Sequence, residues 1–304
     1  MKVVSRSIRS AIAGLSLACS PLAVTTAFAK DQLVVDLVNE PSSLDPHKQW
    51  NPDSYYVYRN IFDNLVTRSD AGEIAPQIAT EWKYNSDTEI VFKLRDDVKF
   101  HDGSPLTAKD VAFSINRIIN PAFASPQLGQ FNKIVSAEAT GEHEVTVKTD
   151  GAYPALLAQL VKLSIVPEKS VEAKGDDAFN AAPVGSGPYK FVNWQRGVSV
   201  ALERNDDYWG DKGAFKTAEF RAVPDAATRI ANLHSGTTAL AVALDADLAA
   251  QIEVSANAKP LSVLTERVGY LKLTPNLPPS DDKRVCEAVA RATDKEALIA
   301  GLLG

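Results

Sequence analysis

Apolar and polar positions follow three rhythms along the chain. Residues 33–38 are apolar on both sides, as a strand buried within a sheet would be, and they run into the Pro-bounded turn Glu40-Pro41-Ser42-Ser43-Leu44-Asp45-Pro46. Tyr58, Ile61, Phe62 and Leu65 recur at i, i+3, i+4 and i+7, which predicts a helix over 55–66 with one face on a core. From Glu89 the period drops to two: Ile90, Phe92 and Leu94 face one way, Val91, Lys93 and Arg95 the other. That strand meets Phe100-His101-Asp102-Gly103-Ser104-Pro105, a turn cluster in which Asp-Gly supplies a permissive backbone. Thr107 with Asp110 three residues later is a capping-box-like start for a helix carrying Val111, Ile115, Ile118 and Ile119, stopped before Pro121.

Further on, 144–148 alternates as a strand and 154–163 reads as a short apolar helix. Residues 189–192, a turn at Gln195-Arg196-Gly197 and a return run with Val198, Val200 and Leu202 on one face predict a hairpin. Asp225 caps a helix with Ile230 and Leu233, closed by Gly236. Residues 269–273 read as a strand, Asp281 or Asp282 caps a helix through Val289, and Asp294 caps another through Leu302.

At the N-terminus, Lys2, Arg6 and Arg9 precede the apolar run 11–18, Pro21 breaks it, and Ala27-Phe28-Ala29 has the small-x-small pattern that a signal peptidase reads. This predicts a cleaved signal peptide over 1–29 and export. Ser16 stands where a lipidated Cys19 would need a leucine, so a free periplasmic protein is expected rather than a tethered one, with Cys286 as its lone cysteine. The 304 residues suggest two domains and part of a third. The formal charge of -6 leaves no bulk basic field for nucleic acid.

Catalytic chemistry is hard to assemble from these residues. His47, His101, His143 and His234 include no pair at the i, i+4 spacing of a helical zinc site. Glu142-His143-Glu144 are strand neighbours that point to opposite faces, and Asp206-Asp207 are too few for a calcium loop. Gly185-Ser186-Gly187 lacks the third Gly and the Lys of a phosphate cradle and precedes a strand, not a helix. Ser186 is not in Gly-x-Ser-x-Gly context either, although a hydrolase using it with an unassigned base is an alternative. His101-Asp102 lie in a turn and cannot both aim at one atom, so Asp102 is expected to make an Asx-type turn. No metal and no cofactor are called for.

Five blocks then stand in order. They are Pro41-Ser42-Ser43-Leu44-Asp45-Pro46-His47 with Val57-Tyr58-Arg59-Asn60-Ile61-Phe62-Asp63-Asn64-Leu65; Phe92-Lys93-Leu94-Arg95 with Val98-Lys99-Phe100-His101-Asp102-Gly103 and Leu106-Thr107-Ala108-Lys109-Asp110-Val111; Pro183-Val184-Gly185-Ser186-Gly187-Pro188-Tyr189; Glu203-Arg204-Asn205 with Tyr208-Trp209; and Pro224-Asp225-Ala226-Ala227-Thr228-Arg229. With them the sequence resembles, from about Leu33 onward, the bacterial extracellular solute-binding proteins of the peptide and nickel ABC importers, often called family five.

The resemblance implies an α/β, periplasmic binding protein type II-like fold: a mixed-sheet lobe with an inserted α+β domain and an incomplete second lobe. Domain I would be 30–70 and 184–267, the inserted domain II 71–183, and 268–304 the start of domain III. It implies a non-enzymatic subunit that captures peptides or a similar small solute and delivers it to the ABC permease and ATPase complex at the inner membrane. In peptide-binding relatives the groups that hold the ligand termini lie mainly in the third domain, beyond Gly304. The first-lobe contribution follows Pro46-His47, which makes Gln49, Trp50, Asp53, Ser54 and Tyr55 the candidate ligand-binding residues. Departures from the family pattern fall late: Thr237-Thr238-Ala239 after Gly236 where Glu-x-Asp is frequent, Cys286 where arginine is expected, and Ala290-Arg291-Ala292-Thr293 without the usual aromatic. Relatives continue through a long further segment, so the chain reads as C-terminally truncated, either a portion of a working subunit or a non-functional remnant.

Overall fold

The structure, a computed structural model, describes residues 31–49, 51–253, 255, 257–262 and 269–302. The signal-peptide reading of 1–29 and the candidate Trp50 lie outside the described residues. β1 (Gln32–Leu37) is followed by α1 (Pro52–Tyr58), the short strands β2 (Val66–Arg68) and β3 (Ile74–Pro76), and the longer β4 (Ala79–Ser86) and β5 (Glu89–Leu94). Helices α2 (Ala108–Ile119) and α3 (Leu128–Phe131) lead to β6 (Ile134–Gly141) and β7 (Glu144–Thr149), then to α4 (Leu156–Leu160), α5 (Glu168–Lys174) and α6 (Asp176–Ala181). β8 (Tyr189–Gln195), β9 (Ser199–Arg204) and β10 (Thr217–Ala222) precede α7 (Ala226–Ser235), β11 (Leu240–Ala241) and α8 (Ala246–Glu253), with α9 (Lys283–Ala292) and α10 (Lys295–Leu302) last.

A five-stranded mixed sheet has the order β11-β1-β10-β9-β8. In it β1 runs parallel to both β10 and β11, while β9 is antiparallel to β10 and β8. A four-stranded antiparallel sheet has the order β4-β5-β7-β6, and β2 pairs β3 separately. Each large sheet has its own apolar core. Leu37, Tyr58, Phe62 and Val200 gather under the first, where Val166, Val171 and Phe179 join them; Phe92, Val111, Ile115, Phe131 and Val145 gather under the second. The mixed α/β architecture expected from the sequence is therefore present.

Most elements arise as the local sequence dictates. Ile90, Phe92 and Leu94 are buried along β5, and α2 begins where the Asp110 carboxylate accepts from the Thr107 backbone N–H and hydroxyl, both at 2.9 Å. The Asp225 side chain accepts from the Thr228 N–H at 2.8 Å to start α7, and Gly236 ends it in the left-handed region at φ +69°.

Three elements differ from expectation. The predicted helix over 55–66 starts earlier, at Pro52, where the Asn51 side chain caps it, and ends at Tyr58. Ile61, Phe62 and Leu65 are buried as their spacing requires. The helix stops because the carbonyls of Asn60 and Ile61 accept from the N–H groups of Tyr189 (2.9 Å) and Gly187 (2.8 Å) instead of from the next helical turn. The helix predicted over 154–163 shrinks to α4, since the Leu163 carbonyl accepts from Leu65 N–H. Residues 269–273 form no strand: among the described residues none offers them a ladder, and Tyr270 and Leu271 stay exposed. Val198 also lies outside the β9 face assigned to it and is exposed.

The crossing of 185–187 over 60–61 explains the Gly-Ser-Gly spacing. A Cβ on Gly185 would sit 2.0 Å from the Ile61 carbonyl oxygen, and one on Gly187 2.6 Å from that of Asn60. Between the glycines, Ser186 is fully buried and donates to Asp63 at 2.9 Å. Asp63, 1% exposed, also accepts from Trp209 Nε1 (3.0 Å), the Tyr208 hydroxyl (2.8 Å) and Gln77 Nε2 (3.0 Å). Burial pushes its carboxyl up from the ordinary range, and these four bonds, which favour the charged form, work against that rise. The same crossing clamps His101. Gly185 N–H lies 3.3 Å from Nδ1 and the Gly187 carbonyl 2.9 Å from Nε2, so Nδ1 carries the lone pair and Nε2 the proton. Asp102 accepts from Ser104 N–H at 3.0 Å, the Asx-type turn expected.

Two outcomes follow from this crossing. Gly185→Ala should destabilise by about 3 kcal/mol or more, because the clash is with backbone, which cannot swing aside; chemical denaturation at neutral pH measures it. Burial, helped by Lys190, lowers the His101 pKa from 6.5 to about 4, against the bond to Gly187. The unfolded chain then binds the extra proton first, and His101 alone makes stability fall as pH drops below ~6.5, by up to ~1.4 kcal/mol per unit until about 4. Denaturation curves at pH 7.5 and 5 should show the loss, and it should be smaller in His101→Gln.

Candidate functional site

In an open α/β sheet the carboxyl ends of parallel strands border the crevice where ligands sit. Here those are the ends of β1, β10 and β11. Two charged groups hold them. Asp36, buried on β1, accepts from Arg221 Nε of β10 and from Asn232 Nδ2 of α7, both at 2.8 Å. Arg229, also buried, donates to the Val223 and Pro224 carbonyls just past β10 (2.8 Å each) and to Ala243 just past β11 (3.1 Å).

From β1 the chain passes through 38–49 into α1, and it is held at each step. The Ser54 hydroxyl accepts from the N–H groups of Ser42 (3.1 Å) and Ser43 (3.5 Å). The Asn180 side-chain oxygen accepts from the Ser43 hydroxyl (2.9 Å) and from the N–H groups of Leu44 (2.7 Å) and Asp45 (3.1 Å). Asp45, fully buried, takes both arms of the Arg117 guanidinium at 3.0 and 2.6 Å. Arg117 Nη2 also donates to Asp176 at 2.7 Å, which pairs in turn with Lys48 at 3.0 Å. Burial opposes the charge on Arg117, yet the two carboxylates outweigh it and hold the group above its usual range.

The candidate ligand residues fall on this stretch. Asp53, in the first turn of α1, accepts from Asn39 Nδ2 at 3.1 Å, which joins it to the end of β1. Tyr55 is partly exposed, edge-on to Tyr58 with centroids 5.5 Å apart and covered by the Arg59 guanidinium at 5.3 Å. Gln49 is partly exposed and donates to the Ser42 hydroxyl at 2.5 Å. Ser54 is fully buried, its hydroxyl committed to the 42–43 turn. Ser186, the alternative nucleophile, is sealed from solvent and its hydroxyl is committed to Asp63. Among the described residues no group of three or more His, Cys, Asp or Glu is placed to hold a metal ion, and no helix is long and apolar enough to cross a membrane.

The sequence pattern did not single out Arg117. Its signal is a second stripe on α2: Asp110, Ser114 and Arg117, at i, i+4 and i+7, are all buried beside the apolar stripe. Asp36 carries a similar mark, an acid inside an otherwise apolar strand.

Known proteins share this fold and sequence. The chain is 28% identical to the probable D,D-dipeptide-binding periplasmic protein DdpA of Escherichia coli (strain K12), over 98% of its own length and 60% of that protein. NikZ from Campylobacter jejuni, solved in complex with Ni(L-His), superposes with a TM-score of 0.76 at 27% identity, covering 89% of this chain and 55% of that one. The periplasmic binding protein DppA from Helicobacter pylori, solved with the peptide STSA, gives 0.68 at 29% identity over 74% of this chain and 49% of that one. The chain thus spans about half to three fifths of the length of these relatives. A family profile, "Bacterial extracellular solute-binding proteins, family 5 Middle", matches residues 73–304. By that match the chain belongs to the family-5 bacterial extracellular solute-binding proteins.

Proposed function

We infer that this chain serves as the substrate-binding component of an ABC importer, exported by a cleaved signal peptide over 1–29. In the periplasm it captures a peptide or a similar small solute and delivers it to the permease and ATPase complex. It binds without turnover. The observation that carries this reading is the border of parallel strand ends β1, β10 and β11, to which the Asn39–Asp53 hydrogen bond joins the start of α1. The names of the relatives support it: one is a probable D,D-dipeptide binder, and one was solved with a peptide. Gln49, Trp50, Asp53 and Tyr55 are the proposed ligand contacts, and Ser54 supports them from behind by fixing the 42–43 turn. The two-segment domain I over 30–70 and 184–267, the inserted domain II over 71–183 and a third domain from 268 are part of the same reading, with Val166, Val171 and Phe179 at the end of the insertion packing into the first core.

The test is thermal and chemical denaturation of the full chain against a panel of di- to pentapeptides. A ligand at a hundredfold its Kd should add about 2.7 kcal/mol of stability, and mass spectrometry should recover the peptide intact. Asp53→Ala and Tyr55→Ala should weaken binding at least ~tenfold, the loss of about 1.4 kcal/mol expected of one good polar or aromatic contact. A panel that gives no shift at all, or a peptide that is cleaved, would sink the reading.

A further inference from the structure

The turn from Asp45 to Gln49 has no regular structure, yet its backbone is held through side chains from elsewhere. The Pro46 carbonyl accepts from Gln127 Nε2, the His47 carbonyl from the Ser125 hydroxyl at 2.6 Å, and the Gln49 carbonyl from Gln127 Nε2 at 2.9 Å. Asp45 is gripped by Arg117. Every one of these partners lies on α2 or the loop after it, so a helix and loop beside the second core dictate where the turn of the first stands.

His47 sits in the middle of that grip, 1% exposed. Its Nδ1 is 3.1 Å from Arg117 Nη1, a group that can only donate, and its Nε2 is 2.8 Å from the Ser164 carbonyl, a group that can only accept. The ring is therefore neutral, with its proton on Nε2. A second proton would have to go on Nδ1, pointing at a guanidinium. The charges facing the ring are Asp45 on its own turn, Arg117 from α2 and Asp176 from the start of α6, with Lys48 reaching Asp176 from the turn. The two carboxylates are already matched by Arg117 and Lys48, so neither is free to take up an imidazolium. Burial, more than any of these charges, brings the ring from 6.5 to about 4.

We propose that Arg117 is the positioning residue of the ligand-facing turn, and that the neutral His47 wedged against it makes this hold acid-labile. The consequence for binding rests on the function inferred above, whereas the hold itself is read without ligand. Hydrogen exchange on the full chain, corrected for intrinsic rates, follows the amides of 42–49 at pH 7.5, 6 and 5. Protection there should fall by up to ~tenfold per unit below about pH 6.5, the limit for uptake of one proton on opening. Arg117→Lys keeps the charge but loses the two-armed grip, and should cost ~tenfold or more in protection already at pH 7.5. His47→Gln can still donate to Ser164 and accept from Arg117, so it should keep the protection of pH 7.5 and lose the slope. Flat protection in the unmodified chain, or an unchanged slope in His47→Gln, would overturn the proposal. Should that variant fail to fold, NMR titration of His47 in the unmodified chain decides: a midpoint below 5 supports the proposal and one at 6.5 or above refutes it. Peptide binding assayed at pH 7.5 separates the two readings. Binding without a slope removes only the acid-labile hold, and a slope without binding removes only the inferred function.

Discussion

Taking the Arg117 guanidinium out of water carries a solvation cost of several kcal/mol, which only well-placed carboxylates can return. Asp45 and Asp176 do so, with contacts of 2.6 to 3.0 Å, and Phe123 lies against the outer face of the guanidinium at 4.1 Å. The exchange is favourable only while Asp45 stays in place, and Asn180 and the Ser43 hydroxyl help to hold its backbone there. What leaves β1 as an irregular segment thus has one permitted path. The start of α1, and with it Asp53 and Tyr55, inherits its position from that path. Asp63 plays the matching part at the far end of the same stretch, drawing Ser186, Tyr208, Trp209 and Gln77 onto one carboxylate.

Much of this was legible in the residues. Period-two and period-3.6 patterns found β5, α2 and the β8–β9 hairpin because each element buries one face, the two-sided apolar run found β1 because it is buried on both, and the caps Thr107, Asp225 and Asp282 act through contacts within three residues. What could not be read was set by distant backbone. Ile61 looks helical by spacing and is buried as a helix would bury it, but its carbonyl belongs to Gly187, 126 positions away. The glycines of 185–187 looked like a ligand cradle that had lost its parts; they are small because another backbone passes within contact of them. No pattern in the residues separates Ser54, turned inward, from Asp53 and Tyr55 beside it.

The family assignment and the geometry speak to different scales. Likeness to NikZ and DppA fixes the architecture and the general class of protein, while the two relatives were solved with ligands as unlike as a nickel chelate and a tetrapeptide. The contacts that choose between such different ligands therefore differ between these two relatives, although the fold is shared. In this chain the buried ion pairs of Asp45 with Arg117 and of Asp36 with Arg221 hold backbone to backbone.

The placement of β1 has a further consequence. Its neighbours are β10, beginning at Thr217, and β11, beginning at Leu240, so β1, the first strand among the described residues, has no partner until about 180 more residues have followed Leu37. Contacts this distant in sequence are slow to form, because a long loop must close before any ladder bond rewards it. For that interval an apolar strand with two open edges is exposed to other chains. The order of synthesis therefore leaves β1 unpaired until β10 has been made and the edge strand β11 the last to join, and in that interval the unassembled β1 is open to aggregation.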